Sequence, residues 1–196
     1  MARQRRPCGE VSTQADLPEG APTHPEVDRD SDAKSICLRL LTGRAHTRAE
    51  LAAALHSRGI SDETCARVLT RFVEVGLIDD SAYAAGYVTS RHFVRGVAGR
   101  EIARQLHDKG IDDHVVQEAV ASIDSDADRA AATSLATRKV RAMSSLEPNV
   151  IARRLLSILA RKGYSPDMSC EVVHQVLTAH QHDMSGLPFD DTTQLA

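Results

Sequence analysis

Three stretches of the chain carry one pattern of apolar and polar positions: LAAALHSRGISDETCARVL from Leu51, IARQLHDKGIDDHVVQEAV from Ile102 and LLSILARKGYSPDMSCEVV from Leu155. Apolar residues recur at Leu51, Ile102 and Leu155, and again at Leu55, Leu106 and Leu159. Each copy continues with a basic residue, a glycine and an apolar residue: Arg58-Gly59-Ile60, Lys109-Gly110-Ile111, Lys162-Gly163-Tyr164. The glycines stand 51 and 53 residues apart, a period expected of a helical array.

Each copy predicts helix, turn, helix. Glycine suits the left-handed position just past a helix end, and the preceding Arg or Lys suits the negative end of the helix dipole. Two residues on come Ser61, Asp112 and Ser165, which predict N-caps, with Pro166 at a first helical position. The stripes that follow are Val68-Leu69-Phe72, Ala119-Val120-Ile123 and Val172-Val173-Val176, each at i, i+1, i+4 and so on one buried face. Thr47 and Glu50 predict a capping box for the helix before the first glycine.

A further helix precedes each copy, over roughly 33–43, 81–95 and 126–142. At the start of GLIDDSAYAAGYVTSR, Gly76 ends one helix, Asp79 or Asp80 caps the next, and Leu77 and Ile78 bury the joint. Tyr83, Tyr87 and Val94 fall on one stripe of the new helix, and Gly86 permits close helix approach. The consistent solution is all-α: three tandem three-helix repeats, each unit covering its neighbour's apolar face so that one aliphatic interior runs through the array. The expected divisions are an acidic, proline-rich disordered extension over 1–32, repeats over 33–79, 80–124 and 125–182, and a flexible tail over 183–196, for which a docking peptide is the lesser reading.

Composition supports this reading. Aromatics make up 3% of the 196 residues, so the core is aliphatic and a large β-sandwich is disfavoured. The net charge of -3 hides an uneven distribution: residues 1–32 and 183–196 hold -3 each, leaving +3 on residues 33–182. Cys8, Cys37, Cys65 and Cys170 form no C-x-x-C, which predicts reduced thiols in a cytoplasm rather than a zinc site or a disulfide framework. No apolar run reaches membrane-spanning length.

The run GLIDDSAYAAGYVTSR, followed by IARQLHDKGI and then LARKGY, resembles the RecX family, regulatory proteins of the RecA recombinase. The match covers roughly residues 33–182, and its specificity lies in several spaced elements coinciding. The N-terminal extension, the GVAG stretch without the proline often found near that turn, and the linker MSSLEPN depart from the family pattern. The resemblance implies an elongated, curved helical protein that turns over no substrate. Such a protein binds the RecA filament on single-stranded DNA and inhibits its ATPase, strand-exchange and coprotease activities.

Basic residues collect in the second and third units, at Arg91, Arg95, Arg100, Arg104 and Lys109, then at Arg138, Lys139, Arg141, Arg153, Arg154, Arg161 and Lys162. Of these, Arg91, Arg95, Arg100, Arg104, Lys109, Arg153, Arg154, Arg161 and Lys162 are the candidate contacts to filament or DNA; taken singly, each also fits an ordinary solvated side chain. The expected partner is the RecA nucleoprotein filament, with single- or double-stranded DNA beside it, met by a monomer with no cofactor, metal, membrane or small-molecule substrate. A helix-turn-helix transcription regulator is the alternative. Against it, the acids in SDE, DDH and SPD open the second helices and would repel phosphates in a major groove. No phosphate loop, H-E-x-x-H or nucleophile elbow is present, and GVAG matches a KH-type G-x-x-G loop without the strands that loop needs. His56 and His107 occupy equivalent, expectedly exposed positions, and His180 and His182 sit near the tail, so no ligand cluster is formed.

Overall fold

A computed structural model of the protein describes residues 25–185, with side chains from 29 to 180. The described residues form nine α-helices and one π-helical turn, with no strand. These are α1 (Pro25–Gly43), α2 (Arg48–His56), α3 (Asp62–Glu74), α4 (Asp80–Val88), the π turn (Thr89–Val94), α5 (Gly99–Asp108), α6 (Asp113–Val120), α7 (Ser125–Arg141), α8 (Pro148–Arg161) and α9 (Pro166–Ser185). Helices α1 to α3 pack on one another, as do α4 to α6 and α7 to α9. The anticipated threefold pattern is therefore physical, while residues 1–24 and 186–196 lie outside the described chain.

Local chemistry sets the boundaries. Thr47 caps α2 in a complete capping box with Glu50, and Ser61 and Asp79 accept from the backbone N–H groups of Thr64 and Ala82. Asp112 stands at its N-cap without a side-chain bond. Gly59, Gly110 and Gly163 have φ of 75°, 72° and 88°, the left-handed conformation that stops the second helix of each triplet. Helix α1 starts at Pro25, ahead of the expected start near 33, and Arg67 of α3 holds it through Asp30 at 2.7 Å.

The interior differs from the expected continuous core. Three apolar clusters form instead, around Leu51 and Leu55, around Ile102 and Leu106, and around Leu155 and Leu159. The stripes of α3 and α9 are buried as expected. In α6, Val116 takes the deep position and Ala119 and Val120 pack only partly buried at its side, as does Ile123 in the turn past the helix end.

The expected helix over 81–95 is broken. After Val88 the chain takes the π turn, whose wider winding shifts the later side chains off the α-helical stripe. His92 is thereby buried at 1% exposure, while Val94, expected inside, stands 67% exposed beside Phe93 at 64%. Ile78 is buried at the α3–α4 joint but Leu77 is exposed, and no heavy atom lies within 4 Å of the space a side chain at Gly86 would enter, so no helix approaches there.

Polar joints link the triplets, and the same turn makes each one. At the first, the Thr47 hydroxyl donates to the Lys109 carbonyl at 2.9 Å, and the Arg48 N–H donates to Asp80 at 3.0 Å. At the second, the Ala98 N–H donates to the Lys162 carbonyl at 2.9 Å, and the Gly99 N–H donates to Asp128 at 3.0 Å. Each turn is clasped so closely that a Cβ at Gly110 would meet the Ala49 Cβ at 2.4 Å, and one at Gly163 would meet the Glu101 Cβ at 2.4 Å. Gly59, which follows no triplet among the described residues, meets nothing within 4 Å.

Candidate functional site

The anticipated contact residues divide by what surrounds them. Lys109 faces inward: its ammonium lies 2.6 Å from Glu50 and over the rings of Tyr83 and Tyr87, which stack at 6.1 Å. The hydrogen bond it donates to Glu50 raises the Lys109 pKa. Burial pushes the Glu50 carboxyl up, but Lys109, Thr47 and Arg44 together bring it below its usual range. Arg104 is held by Glu101 and Asp108, each at 2.7 Å, and holds Glu101 down to about 2. Arg100 donates to the carbonyls of Gly163 and Tyr164. These three cations complete the joints or a local ion pair.

A second group has no carboxylate partner among the described residues. Arg91 and Arg95 leave the π turn, Arg138 and Lys139 end α7, and Lys162 ends α8. The Lys162 pKa is lowered, first by burial and then by Arg91, Arg95, Lys139 and Arg138, so five cations share one region without a neutralising acid. Lys162 donates to the Arg95 carbonyl at 2.9 Å, which fixes it there. Positive potential of this kind is unfavourable in the free protein and is relieved when an anion arrives.

Lys139 joins this cluster to a groove between α7 and α8, lined by Lys139, Arg153, Arg154 and Arg161 at the rim and by Ala142, Met143, Ser157 and Ile158 below, with a volume of about 540 Å³. Arg153, Arg154 and Arg161 are exposed and form no ion pair among the described residues. The result is one acid-poor cationic face spanning the second and third triplets. It includes Arg91, Arg95, Arg153, Arg154, Arg161 and Lys162, and it adds Arg138 and Lys139. The sequence held a signal for this difference. Counting back nine residues from each glycine gives Glu50, Glu101 and Arg154, an acid twice and then a cation.

The acids and histidines have structural duties. Asp79 caps α4, and Asp80 caps α2 across the joint through the Arg48 N–H. His56 lies 3.3 Å from Asp62, and His107 repeats the contact with Asp113 at 3.2 Å. Cys65 stands 3.9 Å from the His56 Nδ1, but the same nitrogen faces Asp62, whereas a nucleophile relay needs the two ring nitrogens for two different partners. Burial and Asp62 also push the Cys65 thiol up, away from the reactive thiolate. His92 sits at the second joint with Nδ1 3.0 Å from the Val97 carbonyl and 3.6 Å from Asp128, whose pKa burial raises. No group of three or more metal-ligating side chains assembles among the described residues, and no described helix is long and apolar enough to cross a membrane.

Fold and face together define an all-helical repeat protein whose charge is concentrated on one side of its later triplets. Residues 33–72 match the family model described as RecX, first three-helix domain, and residues 79–120 match RecX, second three-helix domain. The Regulatory protein RecX of Streptomyces coelicolor is 44% identical over 163 residues, covering 83% of this chain and 87% of that protein. That of Mycolicibacterium smegmatis is 43% identical over 167 residues, covering 83% and 89%. The crystal structure of RecX from Lactobacillus salivarius superposes with a TM-score of 0.65 at 22% identity, covering 76% of this chain and 97% of that one. The chain belongs to the RecX family of regulatory proteins.

Proposed function

We propose that this protein regulates the RecA recombinase by binding the RecA filament on single-stranded DNA, limiting its ATPase, strand-exchange and coprotease activities. Family membership supports the recombinase as partner. The observation that carries the mode of action is the acid-poor face formed by Arg91, Arg95, Lys139, Arg153, Arg154, Arg161 and Lys162. Lying along a filament groove, such a face meets phosphate or acidic protein surface and obstructs the inter-subunit movements coupled to ATP hydrolysis. The protein then acts in the cytoplasm as a monomer, in recombination, repair and the SOS response.

The test is the ATPase rate of preformed filaments at increasing ratios of this protein to RecA. The rate falls with wild type and falls much less with Arg95→Glu, Arg153→Glu and Arg154→Glu combined. An unchanged rate under conditions where co-sedimentation demonstrates binding rejects the mechanism.

A further inference from the structure

The groove between α7 and α8 combines an apolar floor, Ala142, Met143 and Ile158, with a cationic rim, Lys139, Arg153, Arg154 and Arg161. A purely phosphate-binding surface has no use for such a floor. The chain itself carries the complementary segment. Beyond the end of α9 runs Gly186-Leu187-Pro188-Phe189-Asp190-Asp191, three apolar side chains followed by two acids.

The geometry brings the two together. Helices α7 and α9 run side by side in the same direction: Arg129 pairs with Glu171 near their starts, and Arg141 and His180 line one recess near their ends. Helix α9 therefore finishes at the end of the bundle where α7 stops and α8 begins, which is the end bearing Lys139, Ala142, Met143, Arg153 and Arg154. From Ser185 to Phe189 an extended chain spans about 13 Å, enough to pass one helix diameter of about 10–12 Å.

We propose that Leu187-Pro188-Phe189-Asp190-Asp191 docks in cis in the α7–α8 groove, Phe189 on the Met143 and Ile158 floor and the two aspartates against Arg153, Arg154, Arg161 and Lys139. Docked there, it neutralises half of the cationic face, and an anionic partner has to displace it. The docking does not depend on the filament reading, and its test uses no recombinase.

The chain has no tryptophan, so Phe189→Trp supplies a single reporter. In the full chain, its emission shifts to the blue of a free indole and acrylamide quenches it less. Adding Arg153→Glu and Arg154→Glu, both at exposed positions, returns emission and quenching to exposed values, as do Asp190→Asn and Asp191→Asn together. The signal stays constant on dilution. Free-indole emission from Phe189→Trp alone, or a docked signal insensitive to the charge changes, overturns the proposal. A signal that fades on dilution assigns the groove to a second copy's tail and overturns docking in cis.

Discussion

Corresponding positions in the second helices of the first two triplets and of the third do opposite work. In α2 and α5 the first turn clasps the next triplet's glycine turn: Thr47 reaches the Lys109 carbonyl, Glu50 the Lys109 ammonium, and Ala98 the Lys162 carbonyl. In α8 no helix begins at that point. The helix starts a turn earlier at Pro148, buried Ile151 stands where Thr47 and Ala98 stand, and Arg154 stands where Glu50 and Glu101 stand. The difference shows how a repeat position changes use where the described array stops. The Glu50 carboxylate holds the next unit and that of Glu101 holds Arg104 of its own helix; the third copy has no described unit to hold, and its cation is left to the surface.

The largest effect that can break this comparison comes from the glycines. Gly110→Ala and Gly163→Ala combine left-handed strain of about 1–2 kcal/mol with a clash against the preceding helix, and destabilise by about 3 kcal/mol or more. Gly59→Ala bears the strain alone, about 1–2 kcal/mol. Urea unfolding of the three variants measures this, and equal losses remove the distinction between clasped and open turns.

Next comes the face. Arg153→Glu with Arg154→Glu is expected to weaken filament binding about tenfold, or 1.4 kcal/mol, without altering the thermal midpoint. Arg104→Ala, whose partners are Glu101 and Asp108, leaves binding near wild type. Fluorescence anisotropy with labelled filaments at two salt concentrations reads both, and equal losses in both variants merge the two groups of cations.

At the first joint, a double-mutant cycle of Glu50→Gln and Lys109→Met should give a coupling of about 1 kcal/mol, since both side chains are three-quarters buried and share a 2.6 Å contact. A vanishing coupling leaves the Thr47 bond as the clasp.

The smallest effect is acid sensitivity at Glu101. Its pKa falls from 4.5 to about 2 on folding, so its contribution is full above pH 4.5 and is lost as pH drops through about 2. Solvent around Arg104, 61% exposed, limits it to about 1 kcal/mol or less. Glu101→Gln should flatten the acid limb of a stability-against-pH curve by that amount, and an unaltered limb shows the pair to be fully screened.

Much of the fold was legible because local rules write it. The capping box at Thr47 and Glu50, the left-handed glycines and Pro166 at a helix start follow from backbone hydrogen bonding within a few residues. The π turn was not legible. Nothing within residues 81–95 announces it, and it persists because packing favours His92 at the joint, with Val97 and Asp128, over Val94 on the stripe. The candidate face was half legible. Cationic positions can be counted along the chain, but whether an arginine meets a carboxylate, a carbonyl or open solvent is decided by residues far away in sequence. Arg100 reaches Gly163 and Tyr164, while Arg153 on α8 reaches no ion-pair partner among the described residues.

The chain's own pattern thus determined three helical triplets, their turns and the polarity of each helix, since those depend on interactions spanning at most a few turns. Tertiary structure alone decided that the apolar interior splits into three cores joined by polar clasps, and which cations stay unpaired. Both outcomes depend on desolvation and on geometry between segments some 60 residues apart, where one carbonyl or carboxylate in reach converts a surface charge into part of the scaffold.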